Sequence, residues 1–211
     1  RRAGGAHALP PISEKGAMDL ARLDYFATSL KKRITGQGGA CPNCGGMAFD
    51  VADRKHVVTE LRRCHACRLL YRAPTETAED ARRFYQRAYS SGFTTDLPDD
   101  AALERLKVSQ FAGAQHDYSY YISVIRALGV KHGQRVFDFG CSWGYGSWQI
   151  AAAGYDVTSY EISEPRAAYA RDKLGVNVLA TLPRPEAVGA LGGTFDCFFS
   201  SHVVEHVPQP R

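Results

Sequence analysis

Residues 136–146 read VFDFGCSWGYG, an apolar run closed by Asp138 that breaks at once into Gly140, Gly144 and Gly146. The run has the make-up of a short buried strand, and glycines placed so close together let a backbone turn tightly against a neighbour. Outward from this stretch, strand-like and helix-like segments alternate. RVFDF is a strand, SWQIAAAG a helix stopped by Gly154, YDVTSYEI a strand, and SEPRAAYARDKLG a helix with Ser163 as cap, Pro165 in its first turn and Gly175 at its end. VNVLA is a third short strand, PRPEAVGALGG has room for a helix, and FDCFFSS is a fourth strand of nearly continuous apolar character. Such runs belong to a parallel sheet buried on both faces. The expected fold class is α/β, a doubly wound, Rossmann-like sheet with its ligand at the carboxyl ends of the strands.

The loop after the first of these strands narrows the ligand. Gly140 and Gly144 would let the backbone approach a nucleotide-like molecule, and Glu161, about 20 positions on, ends the second strand where a carboxylate can accept hydrogen bonds from two ribose hydroxyls. Dinucleotides and S-adenosylmethionine both use that pair of features. The dinucleotide fingerprint is GxGxxG, whereas here Asp138 ends the strand itself in a D-x-G-x-x-x-G spacing, which favours the sulfonium cofactor.

Composition sets wider bounds. The chain has 211 residues, 45% apolar and 23% charged, with a formal net charge of +4, as expected of a globular protein of one or two domains. No apolar run long enough for a membrane span or a secretory signal occurs, so no membrane partner and a cytoplasmic location are expected. The charge alone does not argue for nucleic acid. RRAGGAHALPPISEKGA lacks periodicity and is rich in Gly, Ala and Pro, so residues 1–17 are expected to be disordered and Met18 to be the start, with an N-terminal helix or linker over 18–37. The text stops at HVVEHVPQPR, directly after a strand and the loop leaving it, which reads as a C-terminally truncated fragment.

Four of the six cysteines form CPNC (Cys41, Cys44) and CHAC (Cys64, Cys67), with 19 residues between the pairs. That is the spacing of a four-thiolate zinc site, and VADRKHVVTELRR can form a hairpin between the two turns. A structural zinc ribbon over 38–73 follows. Disulfides and a redox CxxC are the competing readings, weakened by the lack of export signals and by the presence of two pairs. His65 is left outside a shell that four thiolates complete. Arg54, Lys55, Arg62, Arg63, Arg68 and Arg72 would allow contact with phosphates, or simply solvate the hairpin. Cys141 and Cys197 read as loop and packing residues, not nucleophiles.

Residues 74–130 read as a helical lid or linker. Thr75 or Thr77 can cap a helix through AEDARRFYQRAY, AALERLKVSQFAGAQ is a second helical stretch, and HDYSYYISVIRALG places Tyr118, Tyr121, Ile122, Ile125 and Leu128 on one stripe. Tyr120 and Tyr121 are substrate-side candidates.

These motifs resemble the class I S-adenosylmethionine-dependent methyltransferases. VFDFGCSWGYGS is similar to their first motif, VTSYEIS to the second strand with its ribose-binding acid, and FDCFFSSHVVEHVPQP to the fourth strand and the loop after it, all in order over about residues 118–211. CPNCGG followed by LRRCHACRLLYRAPTETAEDARRFYQRAY is similar to the zinc-ribbon leader of bacterial members, many of which act on sugars or other metabolites of glycan and natural-product synthesis. The resemblance implies an α/β domain over 131–211 in which Asp138, Gly140, Cys141 and Gly144 hold the methionine portion, Glu161 the ribose, and Ile162 the adenine. It implies that Ser200 and Ser201 pass under the sulfonium, and that His202 or His206 is the general base for a small-molecule acceptor.

The sequence departs from the family pattern at Ser142, which replaces a middle glycine, and in ATLPRP, which lacks the acid that often meets the adenine amine. Two alternatives stand beside a small-molecule methyltransferase: an RNA methyltransferase guided by the basic ribbon, and a non-catalytic zinc-ribbon binding module. The absence of (N/D)PP(Y/F) after the fourth strand argues against methylation of the adenine amine. The acceptor atom and the oligomeric state are not legible in the sequence.

Overall fold

The computed structural model describes residues 14–55, 57–87, 96–182 and 193–208. The chain opens on α1 (Glu14–Thr35), so the disorder expected for 1–17 gives way to helix at its last four residues, while 1–13 lie outside the described residues. The helix formers from Ala17 onward propagate the helix back through Gly16 at the modest cost of a glycine.

Residues 38–73 contain one strand more than the expected hairpin. β1 (Phe49–Lys55), β2 (Thr59–Cys64) and β3 (Leu70–Ala73) form an antiparallel sheet in that order, with Arg63 opposite Leu70. The Cys64–Cys67 turn reverses the chain, and Tyr71 and Ala73 are then buried against Cys41 and Cys64, which fixes the third strand in place. Next comes α2 (Ala78–Arg87), begun by a reciprocal cap in which Asp80 N–H donates to Thr77 Oγ1 (3.1 Å) and Thr77 N–H to Asp80 Oδ2 (2.9 Å).

α3 (Asp100–Val108) stops well before the end of the stretch read as helical. Gln110 and Phe111 adopt φ of 51° and 61°, and the turn drives the Phe111 ring fully into the core against Trp143 and Trp148. Burial of that ring outweighs continuation of the helix. α4 (Ser119–Ala127) keeps the expected stripe through Ile125 but leaves Leu128 exposed, because Leu128 is already the C-cap.

The second sheet is parallel, β6-β5-β4-β7, built from β4 (Arg135–Phe139), β5 (Asp156–Tyr160), β6 (Val178–Leu179) and β7 (Cys197–Phe199). α5 (Tyr145–Ala152) and α6 (Glu164–Leu174) connect them, and Ile125, Val136, Ile150, Tyr155 and Val157 form one core with α4 and α5. The expectation of burial on both faces holds for only one of them among the described residues. Val136, Asp138, Val157 and Ser159 are buried, whereas Phe137, Phe139 and Tyr160 are half-buried and Phe198 is 63% exposed. The aromatic rings of this second face cover one another instead, Phe139 stacking on Tyr160 at 5.8 Å and Phe137 meeting Phe195 at a tilt, 5.0 Å between centroids. The stretch read as a further helix, PRPEAVGALGG, falls almost wholly outside the described residues.

Candidate cofactor site and metal centre

The loop between β4 and α5 is set by three left-handed residues, Gly140 (φ 89°), Ser142 (φ 54°) and Gly144 (φ 88°). The N–H groups of Gly140 and Cys141 both donate to the Tyr160 carbonyl, at 2.8 and 3.1 Å, which ties the loop to the end of β5. Its glycines face the protein itself. A Cβ on Gly140 would lie 2.3 Å from Val203, one on Gly144 2.7 Å from Ala170 of α6, and one on Gly146 2.2 Å from the Tyr118 ring. The close approach that these glycines permit is thus met first by the chain's own side chains, and Val203 brings the loop after β7 onto the loop after β4.

Ser142 adopts its left-handed backbone without being glycine, at a cost of about 1 kcal/mol. Two contacts hold it there: its N–H donates to Glu161 Oε2 at 2.9 Å, and Arg166 Nη1 donates to its Oγ at 2.8 Å. Glu161, just past β5, is only 8% exposed; its other oxygen accepts from Ser163 N–H at 2.8 Å. Burial raises its carboxyl above the ordinary range, opposed by those backbone donors and by the Arg166 charge. The group is an anchored acceptor with lone pairs to spare.

Asp138 is 3% exposed and turned into the interior. Ser147 Oγ–H donates to its Oδ2 at 2.5 Å, and Ser159 Oγ–H donates to Ser147 Oγ at 3.0 Å, so the carboxyl closes a buried chain that joins β4, α5 and β5. Desolvation pushes it up to about 6, against the pull of the Ser147 hydrogen bond. Cys141 is buried, and its thiol is raised by the same burial. Ile162 is half-buried, and its carbonyl accepts from Gln86 Nε2 of α2 at 2.9 Å.

On the other side of the loop, Ser200 Oγ–H donates to the Phe139 carbonyl (3.0 Å) and Ser201 Oγ lies 3.2 Å from the Tyr121 hydroxyl. Tyr121 thereby joins the end of β7, while Tyr120 stays exposed. His202 has φ 56° and an exposed side chain 3.8 Å from Glu205; His206 is exposed in the 3-10 turn Val204–His206. Arg166, Ser147 and Val203 are the members of this assembly that sequence reading missed. Ser147, a lone small polar residue in an otherwise apolar helix start, was the one legible signal.

The four ribbon cysteines converge. Their sulfurs lie within 4.8 Å of one another, with Cys41 to Cys67 at 3.6 Å and Cys44 to Cys64 at 3.4 Å. Zn–S bonds of about 2.3 Å in a tetrahedron put sulfurs about 3.8 Å apart, so the set fits zinc, and all four are free thiols. Each pair sits in the same turn: Gly45 N–H donates to Cys41 O and Arg68 N–H to Cys64 O, and both donors have positive φ, 72° and 63°. His65 points away to Asp50, 3.0 Å from its carboxylate. Three of the six basic residues are paired, Arg54 and Arg62 with the buried Glu60, which Arg33 of α1 also reaches, and Arg72 with Glu76, while Lys55, Arg63 and Arg68 are exposed.

Residues 137–211 match the model of a methyltransferase domain. The ubiquinone biosynthesis O-methyltransferase of Bordetella avium is 35% identical over 87 residues, 39% of this chain and 36% of that protein. The chain therefore spans about a third of the length of the curated relative it matches. Magnesium protoporphyrin IX methyltransferase from Synechocystis, solved with S-adenosylmethionine bound, is 20% identical with a TM-score of 0.41, over 64% of this chain and 67% of that one. The O-methyltransferase from Bacillus cereus is 23% identical with a TM-score of 0.33, over 54% of this chain and 58% of that one. Residues 137–211 thus carry the sequence of a methyltransferase domain, laid out on an open parallel α/β sheet.

Proposed function

We propose that the α/β part of this chain binds S-adenosylmethionine beside the loop at 140–144, and that the protein transfers its methyl group to a small molecule. The observation that carries this reading is Glu161, a carboxylate anchored by two backbone N–H groups at the carboxyl end of β5, next to a loop locked onto the same strand end. A carboxylate so placed accepts hydrogen bonds from a ribose diol without reorganising. When bound, the cofactor supplies an electrophilic methyl on a positively charged sulfur.

The chain's own groups would bind and orient. Gly140, Cys141 and Gly144 present the loop backbone to the methionine portion, Asp138 braces that loop from within, and Ile162 flanks the adenine. Ser200 and Ser201 line the acceptor side, where the link from Ser201 to Tyr121 joins α4 to the end of β7. His202 and His206 are the groups able to take a proton from the acceptor, with Glu205 3.8 Å from His202. Identity to an O-methyltransferase favours a hydroxyl acceptor, and the zinc-ribbon leader a sugar or other metabolite of glycan or natural-product synthesis.

The four cysteines would hold a structural zinc that supplies folding free energy to a ribbon with a very small apolar core. Free thiols accord with a cytoplasmic location. Pairing of Arg54 and Arg62 with Glu60 lowers the positive charge available for an RNA-guiding role, though Lys55, Arg63 and Arg68 stay exposed.

Isothermal titration with S-adenosylmethionine and S-adenosylhomocysteine tests the site. Glu161→Ala is expected to weaken both by about 10- to 100-fold through loss of hydrogen bonds to a charged acceptor. Unchanged affinity would remove Glu161 from the site. Elemental analysis should find one zinc per chain, and loss of zinc on Cys67→Ser.

A further inference from the structure

α1 is docked by its polar side. Ser29 is buried and Tyr25, Thr28 and Lys32 are half-buried. Lys32 Nζ reaches Asp80 Oδ2 at 2.5 Å and the Thr75 carbonyl at 3.1 Å, and the Arg72 guanidinium lies 5.2 Å from the Tyr25 ring. The apolar side faces away: Leu23, Phe26, Leu30 and Ile34 are 64%, 43%, 39% and 77% exposed, with exposed Ala27 among them. Amphipathic helices ordinarily do the reverse, and a contiguous exposed apolar stripe marks an interaction surface.

The spacing of that stripe identifies its partner. Leu23, Ala27, Leu30 and Ile34 follow one another at intervals of four, three and four, the seam of a two-stranded coiled coil. Asp24 and Lys31, both exposed, lie seven residues apart on one flank of the seam, so they share an angular position at opposite ends of it. A parallel second copy would set this flank against the other flank of the seam, leaving Lys31 beside Phe26 with no opposite charge. An antiparallel copy sets Asp24 of each chain against Lys31 of the other. A helix lying on an anionic membrane would carry cations along both flanks, which Asp24 opposes.

We propose that α1 is a self-association element: two copies of this chain pair antiparallel through Leu23, Ala27, Leu30 and Ile34, registered by reciprocal contacts between Asp24 and Lys31. The seam is only about three turns long, so the dimer is reversible, with a dissociation constant on the order of micromolar.

Sedimentation equilibrium over a concentration series tests this. The chain should pass from monomer to dimer, and Leu30→Asp should raise the dissociation constant at least ~100-fold, since it buries an unpaired charge in the seam. Circular dichroism should still show a folded chain, because Leu30 belongs to none of the buried core clusters among the described residues. Asp24→Lys and Lys31→Asp should each weaken self-association by about 10-fold by setting like charges together. An equimolar mixture of those two variants, and the double variant, should each recover the original affinity. A monomer at every concentration, a dimer indifferent to Leu30→Asp, or failure of the mixture to associate would overturn the proposal. A monomer that binds vesicles of anionic lipid would replace it with a membrane surface.

Discussion

Asp138 shows how much one buried carboxyl can report. Its proton is held up to about 6 in the folded chain against an ordinary value of 3.8. Between those two values the unfolded chain has released the proton while the folded chain retains it. Stability therefore falls as pH rises through the window and is level above it, because the unfolded state binds fewer protons. Asp138→Asn keeps an acceptor for Ser147 and removes the titration. Relative to the original protein, this variant should gain stability with rising pH across the window, by up to about 3 kcal/mol. Urea midpoints measured across the window check this, and an unchanged slope would mean that the carboxyl is not buried as described. Glu161 and Asp138 were both legible as strand-ending acids. Their different duties were not, because which of them faces the interior depends on Ser147 and Ser159 arriving from two other elements.

The loop at 140–144 is where several elements impose one conformation. A Cβ on Gly140, Gly144 or Gly146 would meet side chains from the loop after β7, from α6 and from the segment before α4 respectively. Gly140→Ala adds a Cβ 2.3 Å from Val203 and keeps φ at 89°, so it should destabilise by roughly 3 kcal/mol, the sum of overpacking and backbone strain. Adding Val203→Ala should recover the steric part and leave about 1 kcal/mol of backbone cost, readable in urea unfolding. Equal stability of the single and double variants would separate the two loops. At α3 the same kind of tertiary demand ends a helix: local composition favours continuing past Val108, and burial of Phe111 decides otherwise.

At the scale of the molecule, polar contacts join the parts. Glu60 of β2 gathers Arg33 from α1, Arg54 from β1 and Arg62 from its own strand, and Lys32 of α1 bridges to α2. Gln86 of α2 then reaches Ile162 beside Glu161, and Tyr169 Oη of α6 donates to the Pro98 carbonyl at 2.7 Å. Chelating the zinc proposed for the four cysteines should therefore loosen β1 to β3 and the docking of α1 together, while β4 to β7 keep their cores. Hydrogen exchange with and without a chelator measures this. Faster exchange confined to residues 38–73 would show that α1 is held by something other than the ribbon, and uniform exchange across the chain would place the α/β sheet under the metal's control.

The sequence by itself determined the two CxxC turns, the order β4-α5-β5-α6-β6 and the later strand β7, and the acids at the ends of β4 and β5. Each of these is written in spacing along the chain: two residues between thiolates, alternating apolar runs, and an acid about 20 residues past a glycine loop. The tertiary structure alone decided that Arg166 steadies Ser142, that Tyr121 meets Ser201, and that α1 docks by its polar side. Those contacts join residues 24, 80 and about 50 positions apart, and are set by which faces pack and which charges lose their water, quantities that no local pattern encodes.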